Sequence, residues 1–137
     1  MRRIAVILSA AAVLALGLAT PASAAVLPTY CHLGAGKIAV STSTATRSLD
    51  IRWPGLSCTA PATGTGVSVL LYAWNGSSWY FVNNAYNVST TSLSQPAGAV
   101  VDSCPHRALV KARVTYIVTS STTQTKTPYW TNTTICS

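Results

Sequence analysis

The chain has 137 residues, of which nine are Lys or Arg and only two are Asp or Glu, so its formal net charge is +7. Most hydrolases, metal enzymes and acid–base catalysts use several carboxylates, and a glycosidase would need Asp50 and Asp102 to face each other. The length favours one domain. The composition therefore predicts a binding or structural module without catalytic residues.

The first 24 residues have the pattern of a secretory signal peptide. Arg2 and Arg3 precede an apolar run, and the small residues at 22–24 form a site that signal peptidase accepts. The apolar run is short for a membrane anchor, and no second run follows it. We therefore expect residues 25–137 to be a single secreted, extracellular domain that does not insert into a membrane.

The expected mature chain begins with an apolar, uncharged segment that ends just before the first cysteine. Such a segment can insert into a partner's cleft or extend its sheet, which makes it a candidate protein-binding site. An ordinary edge strand fits the same residues equally well. The segment consists of Ala25, Val26, Leu27, Pro28, Thr29 and Tyr30.

Four cysteines, at Cys31, Cys58, Cys104 and Cys136, predict two disulfides in an exported chain. Residues equidistant from a hairpin turn meet across the hairpin, which favours the pairs Cys31–Cys58 and Cys104–Cys136. The pair Cys58–Cys104 would resemble the immunoglobulin inter-sheet bridge. It is less favoured because Cys58 lies among loop-forming residues and the Tyr typical of that fold is absent.

The body of the chain is rich in Ser, Thr, Val, Tyr and Trp and has no sustained helical period. We expect an all-β antiparallel sandwich of about seven strands, immunoglobulin-like in architecture. A first hairpin joins residues 37–43 to 48–53. The strongest hairpin signal is Asn75-Gly76. A two-residue loop there pairs Tyr72 with Trp79.

A last hairpin runs from about residue 107 to 118, turns at 120–123 and returns along 127–135. In the register implied by the Cys104–Cys136 disulfide, Val110 lies opposite Trp130 in the core. Lys111 then lies opposite Tyr129 on the outer face, beside Arg107 and Arg113. Aromatic side chains and Arg are favoured in protein interfaces. The candidate interface residues beyond the N-terminal segment are Trp74, Trp79, Tyr80, Arg107, Lys111, Arg113 and Tyr129, whereas Trp53, Trp130 and Tyr116 are assigned to the core.

The sequence gives weaker support to a zinc site and to a nucleic-acid-binding face. Two histidines near cysteines, His32 and His106, could form zinc ligands, but no CxxC or HxxxH spacing is present and exported thiols usually oxidise. Neither a metal nor a cofactor is therefore predicted. The basic strand face raises the question of nucleic acid, but export and a low charge density favour a solvated face.

A leader, a Ser/Thr-rich all-β body, four cysteines and the absence of Glu resemble the small exported proteins of streptomycetes and related actinomycetes. Among these, the chain resembles the adaptor subunit of the umbrella toxin particles in size, cysteine number and β character. In those antibacterial assemblies, the adaptor joins a lectin-like subunit to a large toxin subunit. The resemblance implies that residues 25–30 engage the lectin-like partner.

We therefore expect a secreted, non-enzymatic protein-binding module that acts as an adaptor in an extracellular antibacterial toxin complex. The alternative is an inhibitor of an extracellular hydrolase, which would present a rigid loop such as 54–61 or 97–105. A third hypothesis is a carbohydrate-binding module in which sugar rings stack on Trp79.

Overall fold

A computed structural model describes residues 26–102, 104, 105 and 107–136. The expected signal peptide, Ala25 and His106 lie outside these residues. Every regular element within them is a β-strand, and all the strands pair antiparallel. The strands are β1 (Cys31–Leu33), β2 (Ala39–Ser43), β3 (Ser48–Trp53), β4 (Leu56–Cys58), β5 (Ala62–Trp74), β6 (Trp79–Thr90), β7 (Ala97–Val101), β8 (Leu109–Ser120), β9 (Gln124–Trp130) and β10 (Thr134–Ile135).

The strands form a five-stranded sheet, a three-stranded sheet and a two-stranded ribbon. In the five-stranded sheet, the larger of the two, β5 and β8 pair at the centre. The other edge of β5 pairs with β6, and the other edge of β8 pairs first with β10 and then, further along, with β9. The second sheet has the order β2-β3-β7, and β1 pairs with β4. The expected all-β antiparallel fold is confirmed. The described residues contain ten strands rather than about seven, because β1, β4 and β10 are short elements beside the disulfides.

The core lies between the inner faces of the two sheets. Side chains alternate along a strand, and the alternation predicted for β8 is confirmed, with every second residue from Val110 to Val118 buried. Leu49, Ile51 and Trp53 of β3 are buried in the same core. Trp53 and Tyr116 are thus core residues, as expected.

Both favoured disulfides, Cys31–Cys58 and Cys104–Cys136, are present, and the Cys58–Cys104 alternative is therefore wrong. Cys31 and Cys58 are directly paired across β1 and β4, at the open end of the β2-β3 hairpin. Cys136 is buried, and its backbone N–H donates to the carbonyl oxygen of Ala108 at 2.9 Å. Each disulfide therefore closes a hairpin, as the spacing predicted.

One buried hydrogen bond ties the two sheets together. The hydroxyl of Tyr116, in the middle of β8, donates to the carbonyl oxygen of Pro54, just after β3, at 2.6 Å. Burial, together with the neighbouring Tyr129, raises the pKa of Tyr116, because the low-dielectric core disfavours the phenolate. Tyr116 therefore stays neutral and remains a donor at physiological pH.

The substitution Tyr116→Phe should lower the free energy of unfolding by about 1–3 kcal/mol, because it leaves the buried Pro54 carbonyl without its donor. Urea denaturation followed by circular dichroism measures this loss. Tyr129→Phe is the matched control, since no hydrogen bond of its hydroxyl is found among the described residues. We expect that control to change stability by less than about 0.5 kcal/mol. Equal losses in the two variants would contradict the role assigned to the Tyr116 bond.

Candidate protein-binding face

The outer face of the larger sheet carries a contiguous group of aromatic and basic side chains. It is the face opposite the core, because the alternate residues of β5 and β8 are buried. Four adjacent strands, β6, β5, β8 and β9, contribute to it. We call this group the aromatic face; its members are Tyr72, Trp74, Trp79, Phe81, Lys111, Arg113 and Trp130.

The aromatic rings of this face contact one another across the strands. The rings of Trp74 and Trp79 lie 5.4 Å apart between centroids, and Tyr72 lies 6.0 Å from Phe81 and 5.4 Å from Trp130. These tilted and edge-on arrangements are the favourable geometries for aromatic pairs. Trp74, Phe81 and Trp130 are nevertheless 36%, 54% and 47% exposed. A contiguous exposed patch of this kind is typical of an interaction site.

The two cations of the face lie against these rings. The Nζ atom of Lys111 is 4.2 Å from the centroid of Trp79 and 4.1 Å from that of Trp130. The Cζ atom of Arg113 lies 5.6 Å from the Tyr72 centroid and 6.0 Å from that of Trp130. Each such contact contributes about 0.5–2 kcal/mol, depending on how well water is excluded. The rings therefore hold both cations in place.

No carboxylate lies on this face among the described residues. The two acidic residues of the chain both lie on or beside the other sheet: Asp50 is in β3 and Asp102 directly follows β7. The Oδ2 atom of Asp50 is 2.7 Å from Nε of Arg52. Within the described part of the chain, Lys111 and Arg113 consequently have no counter-ion, and the aromatic face is positively charged.

The turn between β5 and β6 has four residues rather than two. The Asn75 side-chain oxygen accepts a hydrogen bond from the backbone N–H of Ser78 at 2.8 Å, and Tyr72 pairs with Phe81 instead of Trp79. The expected register is therefore wrong by two residues. Because side chains alternate with a period of two, this shift leaves Tyr72, Trp79 and Phe81 on one face, as predicted.

The register of β9 also differs from the expectation, here by an odd number of residues, so its side chains do not keep their predicted faces. Trp130 pairs with Arg113, and Tyr129 pairs with Val114, whereas Trp130 was expected opposite Val110. An odd shift exchanges the two faces of a strand. The assignment of Trp130 to the core is therefore wrong, and so is the placement of Tyr129 on the outer face.

The position of Tyr129 supports this correction. Its ring lies 5.9 Å from the buried ring of Tyr116, and burial raises its pKa. The reason for the error is the assumption that the Cys104–Cys136 disulfide is symmetric about the turn. The strand pairing is centred on the turn at Ser120 to Thr123. Before β8, however, the backbone N–H of Ala108 donates to the carbonyl oxygen of Pro105, so Cys104 does not continue the line of the strand.

Two further candidates lie away from the aromatic face. Tyr80 is exposed but pairs with the buried Ala73, so it belongs to the opposite face of β6. Arg107 precedes β8 and has a positive φ of 58°, with its backbone N–H donating to the carbonyl oxygen of Cys136. Its expected place on the strand face beside Lys111 is therefore wrong.

The described part of the N-terminal segment lies against the domain. Leu27 and Tyr30 pack on the core, and the carbonyl oxygen of Val26 accepts a hydrogen bond from the Thr127 hydroxyl at 3.2 Å. Val26, at 75%, and Thr29 are the exposed residues of this stretch. Residues 26–30 are thus anchored to the sandwich by Leu27, Tyr30 and the Val26 carbonyl.

The two loops considered for an inhibitor are largely structural. Residues 54–56 are buried, and residues 97–101 form β7, which pairs with β3. Within the first loop, the exposed part is limited to residues 59–61. Among the described residues of the two segments, there is therefore no long exposed binding loop.

Sequence reasoning missed Tyr72, Phe81 and Trp130 as site residues. Tyr72 and Phe81 could have been found, because the predicted pairing of the aromatic hairpin already puts both of them on the same face as Trp79. Trp130 could not, since its face depends on the register between β8 and β9, which the spacing of Cys104 and Cys136 does not determine.

Within the described residues, no group of three or more His, Cys, Asp or Glu side chains is placed to hold a metal ion. The same part of the chain contains no helix of the length and hydrophobicity needed to cross a membrane. Comparison with known protein families, curated proteins and solved structures finds no match to this chain.

Acrylamide quenching of tryptophan fluorescence tests the register of β9. Trp130→Phe should remove a readily quenched component, because Trp130 is exposed, whereas Trp53→Phe should remove a poorly quenched one, because Trp53 is buried. Circular dichroism checks that both variants are folded. A poorly quenched Trp130 would restore the register in which this residue is in the core.

Proposed function

We propose that residues 25–137 form a secreted, non-enzymatic protein-binding module that acts as an adaptor between two partner proteins, with the aromatic face as its principal contact surface. The observation that carries this proposal is the exposure of Trp74, Phe81 and Trp130 side by side on one sheet. Export is supported by the signal-peptide pattern and by two disulfides, which persist in oxidising compartments.

The chemistry of the face supports a protein as its ligand. Trp, Tyr and Arg are the residues most enriched at the energetic centres of protein interfaces. The rings here already contact one another and the two cations, so binding need not immobilise freely rotating side chains. This lowers the entropic cost of association.

A polysaccharide is a poorer fit to the same face. A sugar ring stacks flat on an aromatic ring, and a chain of sugars needs several rings with a common orientation. Here the planes of neighbouring rings are inclined by 55° for Trp74 and Trp79, and by 73° and 67° for Tyr72 with Phe81 and Trp130. The Lys111 ammonium group, moreover, lies over both Trp79 and Trp130.

An adaptor needs a second contact surface, and the N-terminal segment is the candidate. In this proposal, the exposed Val26 and its neighbours contact one partner, while the aromatic face contacts the other. The resemblance to the umbrella toxin adaptors implies a lectin-like partner for the segment, and we propose the large toxin subunit as the partner of the face.

A pull-down from the producer's culture supernatant tests the role of the aromatic face. The tagged mature protein should recover a stoichiometric partner, and Trp130→Ala should weaken its binding by about tenfold or more, as removal of an interface hot spot does. Val100→Ala is the matched control, because Val100 is 65% exposed but lies on β7 of the other sheet.

Two outcomes would contradict the proposal: recovery of no stoichiometric partner, or equal recovery by Trp130→Ala and the wild type. Retention of the protein on polysaccharide, abolished by Trp79→Ala, would favour a carbohydrate-binding module instead.

Val26→Asp tests the second surface. A charge at the contact should remove one partner and leave the other bound, because an unpaired charge is costly to bury. Stability should change by less than about 0.5 kcal/mol, since the Val26 side chain is exposed. Thr122→Asp, in the exposed β8-β9 turn, is the control. Loss of both partners, or of neither, would contradict a separate N-terminal site. This substitution is preferable to deleting residues 25–30, because Leu27 and Tyr30 pack on the core.

A further inference from the structure

Lys111 and Arg113 form a pair of cations on one face of β8. Residues two apart on a strand point to the same side and are separated by about 7 Å along it. Both side chains lie against the ring of Trp130, with Lys111 Nζ 4.1 Å and Arg113 Cζ 6.0 Å from the ring centroid. Two positive groups are therefore held close together, at a cost in mutual repulsion.

The aromatic rings do not satisfy the hydrogen-bonding capacity of these cations. An ammonium group has three N–H donors and a guanidinium has five, whereas a ring offers only the negative potential of its face. Arg113 Nε is buried and has no hydrogen-bond partner among the described residues. The guanidinium has thus lost water at this atom without gaining an acceptor within that part of the chain.

From this arrangement we infer that the aromatic face recognises an acidic segment of the partner protein, with an Asp or Glu carboxylate bound by Lys111 and Arg113. The inference rests on the proposed function, since it takes the occupant of the face to be a protein. A carboxylate supplies the missing counter-charge and acceptors to both cations. The surrounding rings lower the local dielectric constant, which strengthens such a charge-assisted contact.

The surroundings favour an acidic peptide over a sulfated or phosphorylated polymer. A polyanion with regularly repeated charges is best matched by a row of cations. The next cation on this face, Lys126, pairs with Ile117, four residues along β8 from Arg113, and it lies beyond the aromatic rings. The cation pair is instead bordered by Trp74, Phe81 and Trp130, which provide contacts for apolar side chains next to an acidic residue.

The experiment uses the mature protein and a phage-displayed library of random twelve-residue peptides as the probe. Selected peptides should be enriched in Asp or Glu beside apolar residues. Binding of these peptides should fall at least about tenfold in Lys111→Gln and in Arg113→Gln, which keep the aromatic rings. Raising the salt concentration should weaken binding by the wild type more than by either variant.

Lys126→Gln is the matched control, because it removes one positive charge from the same sheet face without touching the rings. Its peptide affinity should stay within about twofold of the wild type. Selection of peptides without acidic residues, equal loss in Lys126→Gln, or failure to select any peptide that depends on Lys111 or Arg113 would each overturn the inference. Binding of dextran sulfate that depends on these two residues, without such peptides, would overturn it in favour of a polyanion.

The same variants separate this inference from the proposed function. If Trp130→Ala loses the partner from the culture supernatant but Lys111→Gln and Arg113→Gln retain it, the face binds protein and the acidic recognition is wrong. If Trp130→Ala retains the partner, the proposed function itself fails.

Discussion

The alternation of side chains along β8 is the constraint on which the rest of the structure depends. One set of its residues, from Val110 to Val118, closes the core, and the intervening set carries Lys111 and Arg113 outward. Because β8 is paired along both edges, the side chains of the neighbouring strands are directed to the same inner and outer faces. A buried hydrogen bond from Tyr116 to the Pro54 carbonyl then fixes β8 against the second sheet. Stability and the candidate site are therefore set by opposite faces of a single strand.

How far the sequence could predict this structure depended on whether a feature was local. The alternating pattern of β8, the first hairpin and both disulfides were predictable, because each follows from periodicity or spacing within a short stretch. The aromatic hairpin was predicted with the wrong turn length, but an error of two residues preserves the faces. Even approximate pairing was therefore enough to bring Tyr72, Trp79 and Phe81 together.

The last hairpin was not predictable in the same way. The faces of Tyr129 and Trp130 depend on whether the true pairing differs from the expected one by an odd or an even number of residues. The Cys104–Cys136 disulfide does not reveal that number, because the chain turns between Pro105 and Ala108 before β8 begins. A disulfide limits how far apart two residues can be, but it does not determine which side chains face outward. The most exposed tryptophan of the site was consequently assigned to the core. Tertiary packing, rather than any local signal, decides such a position.

The fold places both acidic residues away from the cations of the aromatic face. A low content of Asp and Glu argues against catalysis only in general terms, because two carboxylates can suffice for some reactions. The fold, however, places Asp50 and Asp102 with the second sheet, and Asp50 already contacts Arg52. Lys111 and Arg113 are thereby left among aromatic rings on the other side of the molecule. A face that fixes two cations in this way, with no counter-ion among the residues that the structure describes, is complementary to an anionic group presented on an apolar surface.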